Sequence, residues 1–395
     1  MTARELYRCA VPDGRNPLRR LPDSPRIPAI VAFVLATLFV VVRLLSVGDG
    51  DAGSFVGAGD LFSSGTELPL QPGAGYDGQF YYRMAIEPLD FDKTAAGVTI
   101  DSEMRLQRIG YPAVTWLVSL GGLISVEFAL VAVNLLGLAL IAGLGGVFAQ
   151  RSGRHAIWGL VLALFYGFAF TLSKDLTEIV EVSLLLLGLV AARKSRFALA
   201  AVALGGAVLT RESALFIVPF IAAWRLYMIV RRRERPSGID LTWIVPPLMF
   251  GAWQLIVHAS TGRFPVRAER DNTVNFPGWP LLRTFPDLFD DLTVRGLVHL
   301  AEVVVLVAVL VIGLISVRKS TAQPLEIAVF AGLAIACLAV DVSSNVWTIR
   351  SLRMFADAYV MAMVVLIATQ RRLALLGAAV GAVSATTYGY FVFNL

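Results

Sequence analysis

Tyr111 to Ile124 reads YPAVTWLVSLGGLI, and the topology of the whole chain turns on whether this stretch crosses a membrane. It is apolar, but it opens on Tyr111-Pro112 and carries Gly121-Gly122 near its end. It is also shorter than the roughly 20 residues that a spanning helix needs. Other apolar runs flank it at 27–47, 126–149, 156–173, 176–192, 197–210, 213–230, 241–259, 297–317, 325–341, 354–369 and 373–394, which makes twelve with 111–124. The chain has 395 residues, 57% hydrophobic and 16% charged, where a soluble domain is roughly a quarter charged. That composition predicts an all-α polytopic membrane protein. The alternation is too coarse for a membrane β-barrel, whose strands repeat every two residues over about ten.

The basic residues test the count. They cluster in the N-terminal tail, at Arg151/Arg154, Arg193/Lys194/Arg196, Arg231/Arg232/Arg233/Arg235, Arg318/Lys319 and Arg371/Arg372. Cytoplasmic loops carry the excess of Lys and Arg. If all twelve runs cross, several clusters fall outside. If 111–124 lies on or dips into the outer surface, all six fall inside. The prediction is therefore about 11 transmembrane helices, with the N-terminus cytoplasmic and the C-terminus outside. Residues 1–26 form a polar cytoplasmic tail with six arginines and four prolines, and 27–395 form one transmembrane domain. Within that domain, 48–125 is a first outer loop carrying surface helices and 260–296 a second large one. The run 27–47 is long for a signal sequence and shows no small-residue cleavage site, so it reads as a retained span.

The formal net charge of +5 is accounted for by these clusters, and no nucleic-acid partner is expected. Cys9 and Cys337 lie far apart, and His155, His258 and His299 are scattered, so neither a disulfide framework nor a zinc site is indicated. P-loop, dinucleotide-binding, HExxH and GxSxG motifs are absent. The glycines at 143–146 lie within a span and read as helix-packing surface.

This topology puts nearly every polar side chain with chemical potential on one face. In GYDGQFYYRMAIEP (75–88), Asp77 precedes a short predicted helix lying flat at the interface, with Phe80 and Met84 on one side. Asp77 is either the cap of that helix or a reactive acid, and the two roles are compatible. Tyr76, Gln79, Tyr81, Tyr82 and Arg83 are candidate pocket residues, with core packing the alternative for the three aromatics. The turn SKDLTEIVE (173–181) brings Lys174, Asp175, Glu178 and Glu181 to membrane depth, where acids usually face a cavity or a partner. A Lys174–Glu178 surface pair is the alternative. LTRES (209–213) carries Arg211 and Glu212, and a buried guanidinium there calls for a carboxylate or phosphate. Arg350 and Arg353 stand one helical turn apart, with Asp357 one turn further, a spacing suited to a phosphate or to anionic lipid head groups. Arg263, Arg267 and Arg270 place three more arginines in an outer loop, against the inside bias.

The stretch Tyr76-Asp77-Gly78-Gln79-Phe80-Tyr81-Tyr82-Arg83-Met84-Ala85 resembles the first-loop motif of membrane glycosyltransferases of the GT-C superfamily. It is similar in particular to the GPI mannosyltransferase 2 (PIG-V)-like branch and its bacterial relatives. RIGYP (108–112), Asn134, DLTE (175–178) and LTRE (209–212) extend the resemblance over roughly residues 27–215. The resemblance implies a GT-C fold, in a bacterial-type plasma membrane, with its active site facing outward. It also implies inverting sugar transfer from a polyprenyl-phosphate donor to a glycan, lipid or protein acceptor of the cell envelope. Asp77 is then the catalytic base, and Arg211, Arg350 and Arg353 the donor-phosphate ligands. Tyr76, Gln79, Tyr81, Tyr82, Arg83, Lys174, Asp175, Glu178 and Glu212 line the substrate pocket. Gly78 stands where such enzymes often carry a second acid, so no cofactor is expected and the place of a divalent metal stays open. A flippase or exporter of lipid-linked sugars, or a non-catalytic partner in surface glycopolymer assembly, is the competing class. Such a carrier needs polar groups through the membrane centre, where Asn134 is the main one here.

Overall fold

The computed structural model describes residues 22–267, 273–290, 293–341, 347–348, 350–369 and parts of 376–384. The tail to residue 21, Arg270, Arg371, Arg372 and most of the last apolar run lie outside the described residues.

Helix α1 (Arg26–Ser46) is the first long apolar helix. The loop after it carries α2 (Gly78–Ile86) and α3 (Gly110–Val118). Then come α4 (Val126–Arg151), a 3₁₀ segment (Ala156–Ala163), α5 (Tyr166–Ser173), α6 (Glu178–Arg193), α7 (Phe197–Thr210), α8 (Ile217–Arg232) and α9 (Leu241–Thr261). A short α10 (Trp279–Thr284) precedes α11 (Val294–Ser316), α12 (Pro324–Ala339) and α13 (Ala356–Ile367). Two antiparallel pairs of two-residue strands are the only sheet among the described residues, and one of them ties 273–274 to 340–341.

Five helical segments among these are long and apolar enough to cross a membrane: Arg26–Ser46, Val126–Arg151, Glu212–Arg232, Gly238–Thr261 and Val294–Lys319. The run predicted as one span at 156–173 is instead two helical pieces bent by 62°, and counting them as one span gives six. The eleven crossings expected from sequence are therefore not reached by length and composition. The shortfall has a geometric reason. Helices α6, α7, α12 and α13 have 16, 14, 16 and 12 residues. At 1.5 Å per residue they rise only about 18–24 Å, against a hydrocarbon core of about 30 Å. Two of them sit inside the bundle: α13 is buried along its whole length, and α6 nearly so. Helix α3 has nine residues, a rise of about 13 Å, and is too short to cross.

Packing explains the glycines of α4. A β-carbon on Gly159 would lie 2.2 Å from the backbone nitrogen of Gly146 and 2.3 Å from the carbonyl of Ala142, so the 3₁₀ segment and α4 meet backbone to backbone. Helix α2 departs from its predicted role. Phe80, Tyr81, Arg83, Met84 and Ala85 are all buried, and only the face of Tyr82 and Ile86 is half-buried, so it is largely enclosed rather than lying flat on an interface.

The bundle has two chemically distinct ends. At one, the Arg193 guanidinium pairs with Glu326, Arg225 pairs with Asp240 at 2.8 Å and Arg154 donates to the carbonyls of Ile367 and Thr369. At the other, where α6 begins and α7 ends, the first loop closes over acids and arginines from across the chain. Asn134 fixes that closure: its amide donates to the Tyr111 hydroxyl at 2.9 Å and to the Leu176 carbonyl at 3.2 Å, while Tyr111 donates to the Leu130 carbonyl. The mid-helix polar residue is thus a clamp between loops.

Replacing Gly159 with Val forces side chain into backbone, and overpacking of this kind costs about 1–3 kcal/mol. Gly159→Val should lower the thermal midpoint of the detergent-solubilised protein by scanning fluorimetry. Gly251→Val, where nothing lies within 4 Å of the added carbon, should leave it near wild type.

Candidate functional site

The site begins at Asp77. Its backbone sits at the start of α2, but its side chain makes no capping hydrogen bond. The carboxylate instead meets two guanidiniums: Arg105 Nη1 at 3.0 Å and Arg108 Nη1 at 3.4 Å. Both arginines come from a 3₁₀ turn (Glu103–Gln107) and the residue after it. Arg105 also makes a two-pronged contact with Asp101, at 3.0 and 2.9 Å. Arg108 forks onto Glu212, at 2.9 and 2.6 Å, and donates to the Tyr81 hydroxyl at 3.3 Å. Forked guanidinium–carboxylate contacts fix angle as well as distance, so the first loop is pinned to the α7–α8 turn more than 100 residues away.

A second group lies beside the first. Glu178, at the start of α6, receives Arg211 at 3.0 Å, Arg353 and the Thr171 hydroxyl at 3.0 Å. Arg211 also reaches Glu181 at 3.7 Å, and Ser213 donates to Glu181 at 3.1 Å. The Arg353 guanidinium lies over the Phe170 ring. The two groups feel each other. Burial pushes the Asp77 carboxyl up, but Arg105, Arg108, Arg353 and Arg211, in that order, pull it down and prevail. Asp77 is therefore ionised at any neutral pH. The Arg108 guanidinium, opposed by burial but held by Glu212, Tyr81 and Asp77, is raised further above its already high value.

Across this network five carboxylates (Asp77, Asp101, Glu178, Glu181, Glu212) face four guanidiniums (Arg105, Arg108, Arg211, Arg353). Its positive charge is fully matched. The unmatched charge lies next door, around Tyr76. That ring packs edge-on against Phe170, with centroids 5.8 Å apart. Lys174 Nζ stands 4.6 Å from its centre and the Arg350 guanidinium 5.9 Å. Burial, together with Arg43 and Arg350, lowers the Lys174 pKa to about 8.

The remaining candidates divide. Gln79 is fully buried and laces the loop: its carbonyl accepts from Gly59 N at 3.2 Å and Ser63 at 2.7 Å, and its amide donates to the Ala74 carbonyl. Arg83 is turned away from Asp77, donating to the Asp92 carbonyl and pairing loosely with Asp90. Tyr82 lies near Glu127, away from the arginines, and burial foremost raises its pKa to about 12. Tyr81 is buried edge-on to Tyr111 and reaches the network only through its hydroxyl. Asp175 is fully buried, in a left-handed backbone conformation, with neither carboxylate oxygen hydrogen-bonded, and burial raises its pKa well above the usual range. A Lys174–Glu178 pair does not form. Exposed Arg263 pairs with half-buried Glu103 and Arg267 covers Phe264, both outside the network. Among the described residues no three His, Cys, Asp or Glu side chains are placed to hold a metal ion.

Sequence reading missed Arg105, Arg108 and Arg43. The signal was present for the first two: arginines three apart in an outer loop violate the inside bias, as at 263–270. Arg43 reads as an ordinary basic residue closing a span.

The fold and site together define a polytopic helical membrane protein with an acid–guanidinium network closed over one end of its bundle. No family model matches the chain, and no curated protein does. A crystal structure of ArnT from Cupriavidus metallidurans bound to undecaprenyl phosphate aligns with a TM-score of 0.46 at 15% identity, over 90% of this chain. The chain spans 59% of the length of that one.

Because the Asp77 pKa is depressed, the carboxylate contributes stability above its unfolded value of about 3.9. That contribution is lost as pH falls from there through the folded value. Arg108→Gln should narrow that window and shrink the loss. At neutral pH it should lower stability by about 1–3 kcal/mol, the worth of a charged hydrogen bond. Thermal midpoints measured between pH 2.5 and 7 read both effects.

Proposed function

We propose that the chain is an inverting glycosyltransferase of the GT-C type, of the PIG-V-like branch that its first loop resembles. It moves a sugar from a polyprenyl-phosphate donor to a glycan, lipid or protein acceptor of the cell envelope. In this reading the basic turns face the cytoplasm of a bacterial-type plasma membrane and the site opens outward, as the inside bias favours. The observation that carries it is Asp77: a part-exposed, ionised carboxylate steered by two guanidiniums, next to Tyr76, over whose ring the Lys174 ammonium and the Arg350 guanidinium stand.

In the reaction, the acceptor oxygen forms a bond to the anomeric carbon from the face opposite the phosphate. The bond from that carbon to the phosphate oxygen breaks, and its electron pair leaves with the phosphate. The acceptor's proton passes to Asp77. A phosphate is a weakly basic leaving group, so no general acid is required, unlike hydrolysis of a glycoside, which commonly uses two carboxylates. Positive charge stabilises the anion as it forms. A carboxylate held below its ordinary pKa is a weak base. It suits a transfer in which the acceptor hydroxyl turns acidic only as its oxygen bonds to carbon. Arg105 and Arg108 keep Asp77 aimed while it waits. Arg211 and Arg353 hold Glu178 and supply a positive back wall, and Arg350 is the arginine of the three left to meet a phosphate. Tyr76 offers its ring edge to a sugar, and Glu212 acts by positioning Arg108.

A general base contributes about 10²–10⁴-fold to rate. Asp77→Asn should fold normally and lose that factor in transfer from polyprenyl-phosphate sugars in proteoliposomes; turnover at the wild-type rate removes Asp77 from this role. Glycan analysis of cells lacking the protein should show one missing linkage. Accumulation of inward-facing lipid-linked sugar in those cells would instead identify a carrier.

A further inference from the structure

A cavity of about 290 Å³ lies between the end of α1 and the first loop, lined by Arg43, Val47, Gly57, Leu70 and Lys174 among others. At about 30 Å³ per water, it has room for roughly ten. Arg43 and Lys174 are both more than nine-tenths buried, at 4% and 7% exposure. Among the described residues the Lys174 ammonium has no carboxylate partner; it stands over the Tyr76 ring. Its neighbour Asp175 leaves it unpaired, since the Asp175 oxygens make no hydrogen bond at all. Arg43 and Arg350 both lie close enough to Lys174 to repel its charge. Gly57, at φ +64°, lets the backbone pass beneath: a β-carbon there would press on Lys174 Cδ and the Tyr76 side chain at 3.3 Å.

An ammonium largely enclosed beside other cations, without a carboxylate partner among the described residues, is costly, and an anion in the same cavity lowers that cost. The neighbouring network offers such an anion less, because each of its guanidiniums already faces a carboxylate. The approach to the cavity is apolar. Ile30, Val34, Leu38, Val41 and Leu45 form an exposed stripe at helical spacing along α1, and Val47 and Leu70, also exposed, stand at its end. This stripe faces lipid if α1 spans the membrane, and it runs up to the cations.

We infer that this cavity is the phosphate seat for a single-chain lipid phosphate, with Lys174 and Arg43 as ligands and the hydrocarbon chain lying along the α1 stripe. The inference rests on the proposed function, since the occupant it commits to is the polyprenyl-phosphate donor. Arg350 then reaches the same phosphate across the Tyr76 ring. The sugar carried by the phosphate projects past Tyr76 toward Asp77, the next residue. Lys174, placed from sequence in a general substrate pocket, becomes a specific phosphate ligand. Arg43 gains a function that its position at the end of a span concealed.

Native mass spectrometry of the full chain in detergent tests this, with decaprenyl phosphate as the probe. Decaprenol, phosphatidylglycerol and inorganic phosphate are the comparison arms. Decaprenyl phosphate should bind more tightly than all three. Lys174→Gln should weaken it about tenfold or more, as expected for loss of one charged hydrogen bond, while Lys174→Arg keeps most of the affinity. Ile30→Ser with Val34→Ser, about 14–20 Å of helix from Arg43 at 1.5 Å per residue, should weaken decaprenyl phosphate but not the short farnesyl phosphate, a contrast that loss of fold cannot produce. Equal binding by Lys174→Gln, or equal binding of decaprenol, overturns the site. Equal binding of phosphatidylglycerol or inorganic phosphate overturns the assignment to the donor and leaves a general head-group or free-phosphate contact. Asp77→Asn should bind as wild type does. Donor binding without any sugar transfer by the wild type would sink the transferase and spare the cavity; transfer with unchanged binding by Lys174→Gln would do the reverse.

Discussion

Burying a carboxylate in a membrane protein is tolerable only when something answers its charge, and here the answer comes from far along the chain. Glu178 opens α6 and is met by Arg211 from the α7–α8 turn and Arg353 from the approach to α13. Arg108 from the first loop bridges Asp77 and Glu212. Removing one member of such a group leaves its partner buried and unpaired, which is where the large energies lie. The network is thus both a fastener, holding the first loop, α6 and the later turns at one end of the bundle, and the source of the field in which Asp77 sits.

That field sets the chemical character of the site. The guanidiniums around Asp77 overcome the effect of burial and hold it ionised. Asp175, one turn of chain from the network, shows what happens without such partners: buried and unbonded, it is pushed the other way. The two aspartates are therefore shifted in opposite directions: Asp77 is part-exposed and has arginines to hold it ionised, while Asp175 is fully buried with neither oxygen hydrogen-bonded. Lys174 shows the same logic for a cation. Its surroundings supply more positive charge and, among the described residues, no carboxylate partner, which makes the cavity beside it receptive to an anion.

The division of labour within the first loop follows from packing. Gln79 and Arg83, polar and close to Asp77 in sequence, face inward and hold loop backbone. A short helix has several faces, and neighbours on it point in different directions. The packing of α2 sends only Asp77 and the Tyr81 hydroxyl toward the network. The residues that do reach Asp77 come instead from a 3₁₀ turn nearly thirty positions later.

Composition and the spacing of apolar runs determined, without any coordinates, that this chain is a helical membrane protein. They do so because each apolar run has to find lipid or bundle interior, whichever the fold provides. The sequence also singled out Asp77, Glu178, Arg211, Glu212 and Arg353, because charged side chains at the ends of apolar runs are conspicuous. It could not tell which runs cross. A 16-residue helix sheltered inside a bundle and a longer one facing lipid look alike in hydropathy, and a 62° break within 156–173 leaves no mark in an unbroken apolar stretch. Nor could it tell matched charges from unmatched ones. Whether an arginine meets a carboxylate is decided by contacts between residues up to 175 positions apart, as for Arg353 and Glu178. Only the folded chain brings such residues within the few ångströms over which their charges bind.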